Sequence, residues 1–468
     1  MKSWHFVGIC GIGMSALAQF ARTAGFAVSG SDRALENPEN APLKAMLEKQ
    51  GIKLFGQDGS RFAAGNDPAD AVVYSTAVEE SNPDFAASQG VARLHRATAL
   101  KMLIQMRCSG GKLSVAVAGS CGKTSTTAII SEALYNAGKD PECINGGMVK
   151  KFVTATCPGN YRSGAGAIVF EADESDKSLL NYGADYAIVL NIGTDHYDKE
   201  ELARVFGTFL QQVRKGAVMT RQVFDAVKKF LPPQLPVTVV DPDGGKGAFA
   251  LQEYTVSAGE KGKTARVRCG DGRVITLPKM GRHMAENALC IRAMAEMLGF
   301  DAGKCVEALA TFSGVWRRDD FAGESGSGAQ VFDDYAHNPE KILSCLRGMR
   351  ERCDGRIFAV FQPHGYKPFG FMKDELFALM ENFLRPDDRF YLLEPYYAGG
   401  TSSFSPGGKE VAGEWRKNSA TPQKFDFIAS REAVRQRLAA EACAGDVVVV
   451  MGARDNSLSD FARTLAAN

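Results

Sequence analysis

A chain of 468 residues, 45% hydrophobic and with a formal net charge of +1, can build two to four domains and lacks the charge excess of a nucleic-acid surface. Its eleven cysteines include no C-x-x-C pair. That argues against a disulfide framework or a cysteine-held zinc, and suits reduced thiols in a cytosol.

The N-terminus "MKSWHFVGICGIGMSALA" has the basic start, apolar run and small-residue end of a signal peptide. Glycines 8, 11 and 13 fit a strand, turn and helix better, and no other segment is apolar for long enough to span a membrane. In this first block "HFVGIC" reads as a strand, "GMSALAQFARTAG" as a helix ended by Gly25, and "FAVSGSD", "IKLF" and "AVVYS" as further strands. The block fades into "RCSGGK", residues 107–112, read as a polar linker. Between strand and helix, "GICGIGMS" places glycines as a dinucleotide site does, and Asp32 ends the next strand. Cys10 stands where one more glycine is expected, so the pattern implies a phosphorylated ligand without choosing it.

The second block opens on "LSVAVAGSCGKTS". This is a phosphate loop shortened to G-x-x-G-K-T, with Val117 five positions before Gly122. Gly119 and Gly122 let backbone N–H groups approach phosphate oxygens, and the following helix adds its positive end. Lys123 would reach the β- and γ-phosphates and Thr124 would bind Mg²⁺. "FEADESD" and "LNIGTDHYD" put acids and a histidine at the carboxyl ends of buried strands, with Glu171 the leading Mg²⁺ ligand and Asp195 and His196 a similar layout. "YTVSAGEKGKTARVRCGDGRVITLP" alternates and turns like antiparallel strands, before the helix "HMAENALCIRAMAEMLG".

The third block starts near Ser313. Its strands "AQVFDD", "RIFAVF", "RFYLLEP" and "DVVVVMG" end in polar groups: Asp333, Asp334, Tyr335, His337 and Asn338 after the first, His364 after the second, "MGARDN" after the last. Polar strand ends on one sheet make a cleft wall. The fold class read from the whole is α/β, with mostly parallel sheets covered on both faces.

Together "GICGIGMS", "AGSCGKTS", "EADESD", "GRHMAENAL", "FSGVWRR", "DDYAHNP" and "FQPH" resemble the Mur ligases in order and spacing, over nearly the whole chain. The resemblance is strongest to the branch that joins L-alanine to UDP-N-acetylmuramate. It implies three domains: a Rossmann-like UDP-substrate domain (1–108), a central ATP-binding domain (109–312) and a Rossmann-like C-terminal domain (313–468). It implies ATP and Mg²⁺ as cofactors, with no nucleic acid and no membrane insertion. The enzyme would be a cytoplasmic monomer or homodimer of peptidoglycan precursor synthesis.

The same resemblance assigns roles. Gly119, Ser120, Cys121, Gly122, Lys123, Thr124, Ser125, Asn287, Arg318 and Asp334 would surround ATP. Thr124, Glu171 and His196 would hold the metal. Gly11, Gly13, Met14, Ser15, Asp32 and Ser75 would hold the UDP moiety. Tyr335, His337, His364 and Lys367 would receive the amino acid. Lys123, His196, Arg318 and His337 would be catalytic. The implied chemistry is attack of a carboxylate on the γ-phosphate, then of an amine on the acyl phosphate, with domain closure excluding water.

The chain departs from the family pattern at Cys121, usually histidine, at "NPE" after His337, at "HGYKPFG", which lacks the arginines expected after His364, and at "YYAGGTSS" and "MGARDN". These departures leave open a paralogue that adds another amino acid or a peptide, as murein peptide ligases do. An NAD-dependent oxidoreductase leaves the phosphate loop unexplained, and a non-catalytic derivative leaves Lys123, Thr124, Glu171 and His196 unexplained.

Overall fold

The computed structural model describes residues 2–173, 178–193, 199–259, 262–397 and 404–467. The first sheet is built from β1 (Ser3–Val7), β2 (Ala27–Asp32), β3 (Lys53–Gly56), β4 (Ala71–Tyr74) and β5 (Ala92–His95), all parallel, in the order β3-β2-β1-β4-β5. Helices α1 (Ile12–Thr23), α2 (Ala41–Lys49), α3 (Pro83–Ala87) and α4 (Arg96–Ser109) connect and cover it. The strand order reverses at β1, so the glycine turn after it lies at the switch point where such sheets bind ligands.

The supposed linker 107–112 is helical as far as Ser109, and only Gly110 and Gly111 (φ +94°) end the helix. The charges serve burial: Arg107 Nη2 and Lys112 Nζ bind the two carboxylate oxygens of fully buried Glu142, at 3.3 and 2.6 Å.

The second sheet comprises β6 (Ser114–Ala118), β7 (Glu142–Ile144), β8 (Tyr161–Arg162), β9 (Ile168–Glu171), β10 (Tyr186–Val189), β11 (Gly216–Thr220) and β12 (Val237–Val240). Its order is β12-β11-β10-β6-β9-β7-β8, with only the β7–β8 pairing antiparallel. Every residue of β6 is buried, as a central strand covered on both faces requires. Helices α5 (Lys123–Asn136), α6 (Lys199–Leu210) and α7 (Arg221–Val227) flank it. The alternating stretch forms β13 (Leu251–Gly259), β14 (Gly262–Cys269) and β15 (Val274–Thr276), and β14 and β15 pair antiparallel as expected. Helices α8 (Arg282–Met297) and α9 (Ala302–Leu309) follow.

The third sheet runs β16-β17-β21-β18-β19-β20, from β16 (Asp320–Glu324), β17 (Gln330–Asp334), β18 (Ile357–Phe361), β19 (Arg389–Leu392), β20 (Phe425–Phe427) and β21 (Val447–Met451). Only edge strand β16 is antiparallel. Helices α10 (Pro339–Arg352), α11 (Tyr366–Phe383), α12 (Gly408–Asn418), α13 (Arg431–Glu441) and α14 (Ser457–Ala466) cover two separate apolar layers on its faces.

By contacts the chain forms two compact units. One contains Met1–Thr255, Arg266–Pro278 and Arg282–Trp316, and thus the first two sheets; the other contains Val256–Ala265, Lys279–Gly281 and Arg317–Asn468. Residues 313–316 belong to the first unit. Val315 bridges Val149, Trp316 N donates to Met148 O at 2.9 Å, and buried Glu132 accepts from Ser313 N and Oγ at 2.9 and 2.6 Å.

Candidate functional site

The phosphate loop leaves the carboxyl end of β6 beside β9 and β10. Gly122, at φ +85°, caps α5 in a left-handed conformation that glycine adopts without penalty. Asn191 clamps the loop from the end of β10: its Oδ1 accepts from Cys121 N at 2.8 Å and its Nδ2 donates to Cys121 O at 3.0 Å. Ser120 Oγ accepts from Gly193 N at 2.9 Å. On α8, Asn287 packs against Gly122, its Nδ2 3.1 Å from where a Cβ there would sit. Lys123 Nζ donates to Gly119 O at 2.8 Å and lies 3.7 Å from Asp173, which also faces Arg96 at 3.4 Å. Ser125 lies within the first turn of α5.

Thr124 Oγ1 donates to Glu171 Oε1 at 3.0 Å, and Glu171 Oε2 accepts from Gly146 N at 2.9 Å. Gly146 has to be glycine for this approach, because a Cβ would stand 2.5 Å from that carboxylate oxygen. A hydroxyl and a carboxylate side by side at a helix N-terminus are hard oxygen donors, and they fit Mg²⁺ shared with phosphate oxygens. His196 and Asp195, expected next to this pair, lie outside the described residues.

The glycine turn after β1 is held from beneath. Gly8 N and Ile9 N donate to Ser31 O, and Asp32 takes Cys10 N on Oδ2 and Ala34 N on Oδ1, both at 2.9 Å. Burial, and then the Asp32 charge, push the Cys10 thiol up to about 12, so it stays protonated. Gly11 caps α1, Gly13 sits in its first turn, and Ser75 follows β4 on the same sheet edge. Of the other residues expected at this turn, Met14 packs in the core, and Ser15 is buried with its Oγ donating to Gly11 O and Ile12 O.

Sequence reasoning missed Asn160, which is fully buried between the two sheets of this unit. Its Nδ2 donates to Ile12 O at 2.7 Å and Ser15 Oγ at 2.8 Å, and its Oδ1 accepts from Gln19 Nε2 at 3.0 Å. Its carbonyl accepts from Asn145 N at 2.8 Å, one residue before Gly146. A hydrogen-bonded path therefore joins the α1 turn to Glu171.

In the second unit the expected residues gather at the carboxyl ends of β17, β18 and β21. Of the adjacent arginines, Arg317 is interior: it pairs with Asp333 at 3.2 Å and donates to Asp455 O and Gly452 O at 2.8 and 2.7 Å. Arg318 instead places its guanidinium 5.0 Å from the Tyr335 ring centre. Asp334 accepts from Asp319 N at 2.6 Å and Ala336 N at 2.8 Å, and burial raises its carboxyl despite the Arg318 charge. Lys279, also missed by the sequence reading, donates to the carbonyls of Arg318 and Asp319. Burial lowers its ammonium.

His337 and His364 meet edge to face, 5.1 Å between ring centres. Burial, then Lys341, push His337 down to about 3. Burial, then Arg454 and Lys341, push His364 down to about 4. Both imidazoles are neutral at pH 7. His337 Nδ1 donates to Tyr335 O at 2.9 Å, since a carbonyl can only accept, which leaves Nε2 as an acceptor. Lys367 is exposed on the first turn of α11.

Three family models match in succession: the Mur ligase family catalytic domain over residues 3–107, the Mur ligase middle domain over 117–295 and the Mur ligase glutamate ligase domain over 317–454. The chain is 32% identical to a UDP-N-acetylmuramate–L-alanine ligase of Rhizobium etli, over 98% of this chain and 95% of that one. It is 33% identical to an enzyme of the same name from Azorhizobium caulinodans, over 86% and 84%. Among solved structures it is similar to the UDP-N-acetylmuramate–alanine ligase of Thermotoga maritima, at 25% identity and a TM-score of 0.78, covering 100% of this chain and 99% of that one. A murein peptide ligase of Psychrobacter arcticus shares the fold at 20% identity and a TM-score of 0.65, covering 100% and 98%.

Proposed function

This chain belongs to the Mur ligase family, and we propose that it joins L-alanine to the carboxylate of UDP-N-acetylmuramate at the expense of ATP, releasing ADP and phosphate. The observation that carries this reading is the paired Thr124 and Glu171 at the mouth of a lysine-bearing phosphate loop, in a chain that matches alanine-adding ligases almost end to end.

In the first step a substrate carboxylate oxygen attacks the γ-phosphorus and ADP leaves, giving an acyl phosphate. In the second, the neutral amine attacks the acyl carbon, and the tetrahedral intermediate expels phosphate and loses a proton. Phosphoryl transfer asks the protein for positioning and charge neutralisation. The loop's N–H groups and Lys123 supply both, and Thr124 and Glu171 would hold Mg²⁺. Mg²⁺, when bound, neutralises charge on the phosphate oxygens. The turn at 8–15 and Ser75 would cradle the UDP moiety. His337, held neutral by burial, is too weak a base to take a proton from an ammonium group, so its role is to accept a hydrogen bond through Nε2.

This reading takes three domains, 1–108, 109–312 and 313–468, with the segment 313–316 packed on the second of them, and the cytoplasm as the setting. Among the described residues no helix is long and apolar enough to cross a membrane. The missing arginines after His364 favour a second reading, transfer to another amino acid or to a short peptide. ADP release with UDP-N-acetylmuramate against a panel of amino acids and peptides decides between them. L-alanine should give the largest kcat/KM; a larger value for another amine donor replaces the substrate, and no release with any donor refutes ligation.

A further inference from the structure

Arg454 lies in the loop after β21 and adopts φ +67°, a left-handed conformation in which a β-carbon is strained. The loop holds it there. Arg317 donates to the carbonyls of Gly452 and Asp455 on either side, Gly452 N donates to Asp334 O at 3.2 Å, and the Asp455 carboxylate is taken by Arg431 at 2.5 Å. The backbone N–H of Arg454 faces the Tyr335 hydroxyl at 3.4 Å.

The side chain is exposed, and no carboxylate among the described residues pairs with it, whereas Arg317, Arg350, Arg352, Arg356 and Arg431 of the same unit all have one. Its charge acts on His364, whose Nδ1 is buried without a hydrogen-bond partner. Lys341 and Arg318 add positive charge at His337, and among the described residues no acid is one of the main groups that shift either imidazole. A strained guanidinium with no carboxylate partner among the described residues, on the loop whose Arg454 N–H faces Tyr335 and whose charge reaches His364, is complementary to a small anion. A planar fork suits a carboxylate.

We propose that Arg454 binds the α-carboxylate of the incoming amino acid, a contact assigned here to a residue outside the "HGYKPFG" segment. This rests on the ligase reading above. Lys367, the alternative cation, is a point charge and cannot form the two parallel hydrogen bonds of a guanidinium.

Arg454→Gly tests this, because glycine relieves the strained φ while removing the guanidinium. Steady-state kinetics with UDP-N-acetylmuramate, ATP and L-alanine (or whichever amino acid proves fastest with the unaltered enzyme) are measured together with the thermal midpoint. The amino-acid KM should rise at least tenfold, with the ATP KM within twofold and the thermal midpoint unchanged or higher. Arg454→Lys should fall between, and Lys367→Ala should have the smaller effect. An amino-acid KM within twofold of the parent overturns the proposal. So does an equal rise in the ATP KM, which would assign the guanidinium to phosphate, or a larger effect from Lys367→Ala. Absence of turnover by the unaltered enzyme with every amino acid is a different result: it refutes the ligase reading and takes this inference with it.

Discussion

Lys123 bends back to the Gly119 carbonyl and toward Asp173, at the mouth of the phosphate loop. Lys123→Ala should therefore lower kcat by about two to three orders of magnitude, the scale of losing one charge-stabilising donor, with the thermal midpoint unchanged. Turnover close to the parent would remove Lys123 from the chemistry. Glu171→Gln keeps the acceptor for Thr124 and Gly146 but loses the charge, so activity should fall and the Mg²⁺ concentration for half-activity should rise. A Mg²⁺ titration that does not move would leave Glu171 as a brace for the loop. Cys121, partly exposed within the phosphate loop, should be alkylated more slowly when Mg·ATP is bound; equal rates with and without nucleotide would place it away from the phosphates.

At the scale of elements, the α1 turn and the Gly146 strand end are joined through one buried amide. Asn160→Ala leaves Ile12 O, Ser15 and Gln19 without that partner. The expected cost is about 1–3 kcal/mol of stability, with a rise in the KM for UDP-N-acetylmuramate larger than that for the amino acid. Equal rises in both would show a general loss of fold. The glycine turns, the helix starts and the acids after β9 and β17 could be read from sequence because each is local: a glycine, a cap and an apolar strand within a few residues. Asn160 could not, because its partners Ile12 and Ser15 are 148 and 145 residues away. Arg317 and Arg318 are adjacent and chemically alike, and only the fold turns one inward onto Asp333 and leaves the other over Tyr335. The run 107–112 misled because its charges are there to neutralise a buried acid.

For the molecule as a whole, its buried histidines lower stability on the acid side, against carboxyls such as buried Glu132 and half-buried Glu286, whose raised values work the other way. His337 and His364 are driven from the ordinary 6.5 to about 3 and about 4, and burial lowers His5 as well. Between those values and 6.5 the unfolded chain binds more protons than the folded one, so stability is present above 6.5 and is lost as the pH falls. From pH 7 to 5 each of the first two should cost about 2 kcal/mol. The urea midpoint should drop over that range, and His337→Gln should flatten the drop. A midpoint independent of pH between 7 and 5 would mean that the imidazoles are solvated.

The central claim is that a carboxylate is activated by transfer of the γ-phosphoryl group before an amine displaces it. UDP-N-acetylmuramate labelled with ¹⁸O in its carboxylate, turned over with ATP and the amino acid, tests this most directly. The account predicts that each phosphate released carries one ¹⁸O from the carboxylate and that the nucleotide product is ADP. Unlabelled phosphate, or AMP in place of ADP, would contradict it.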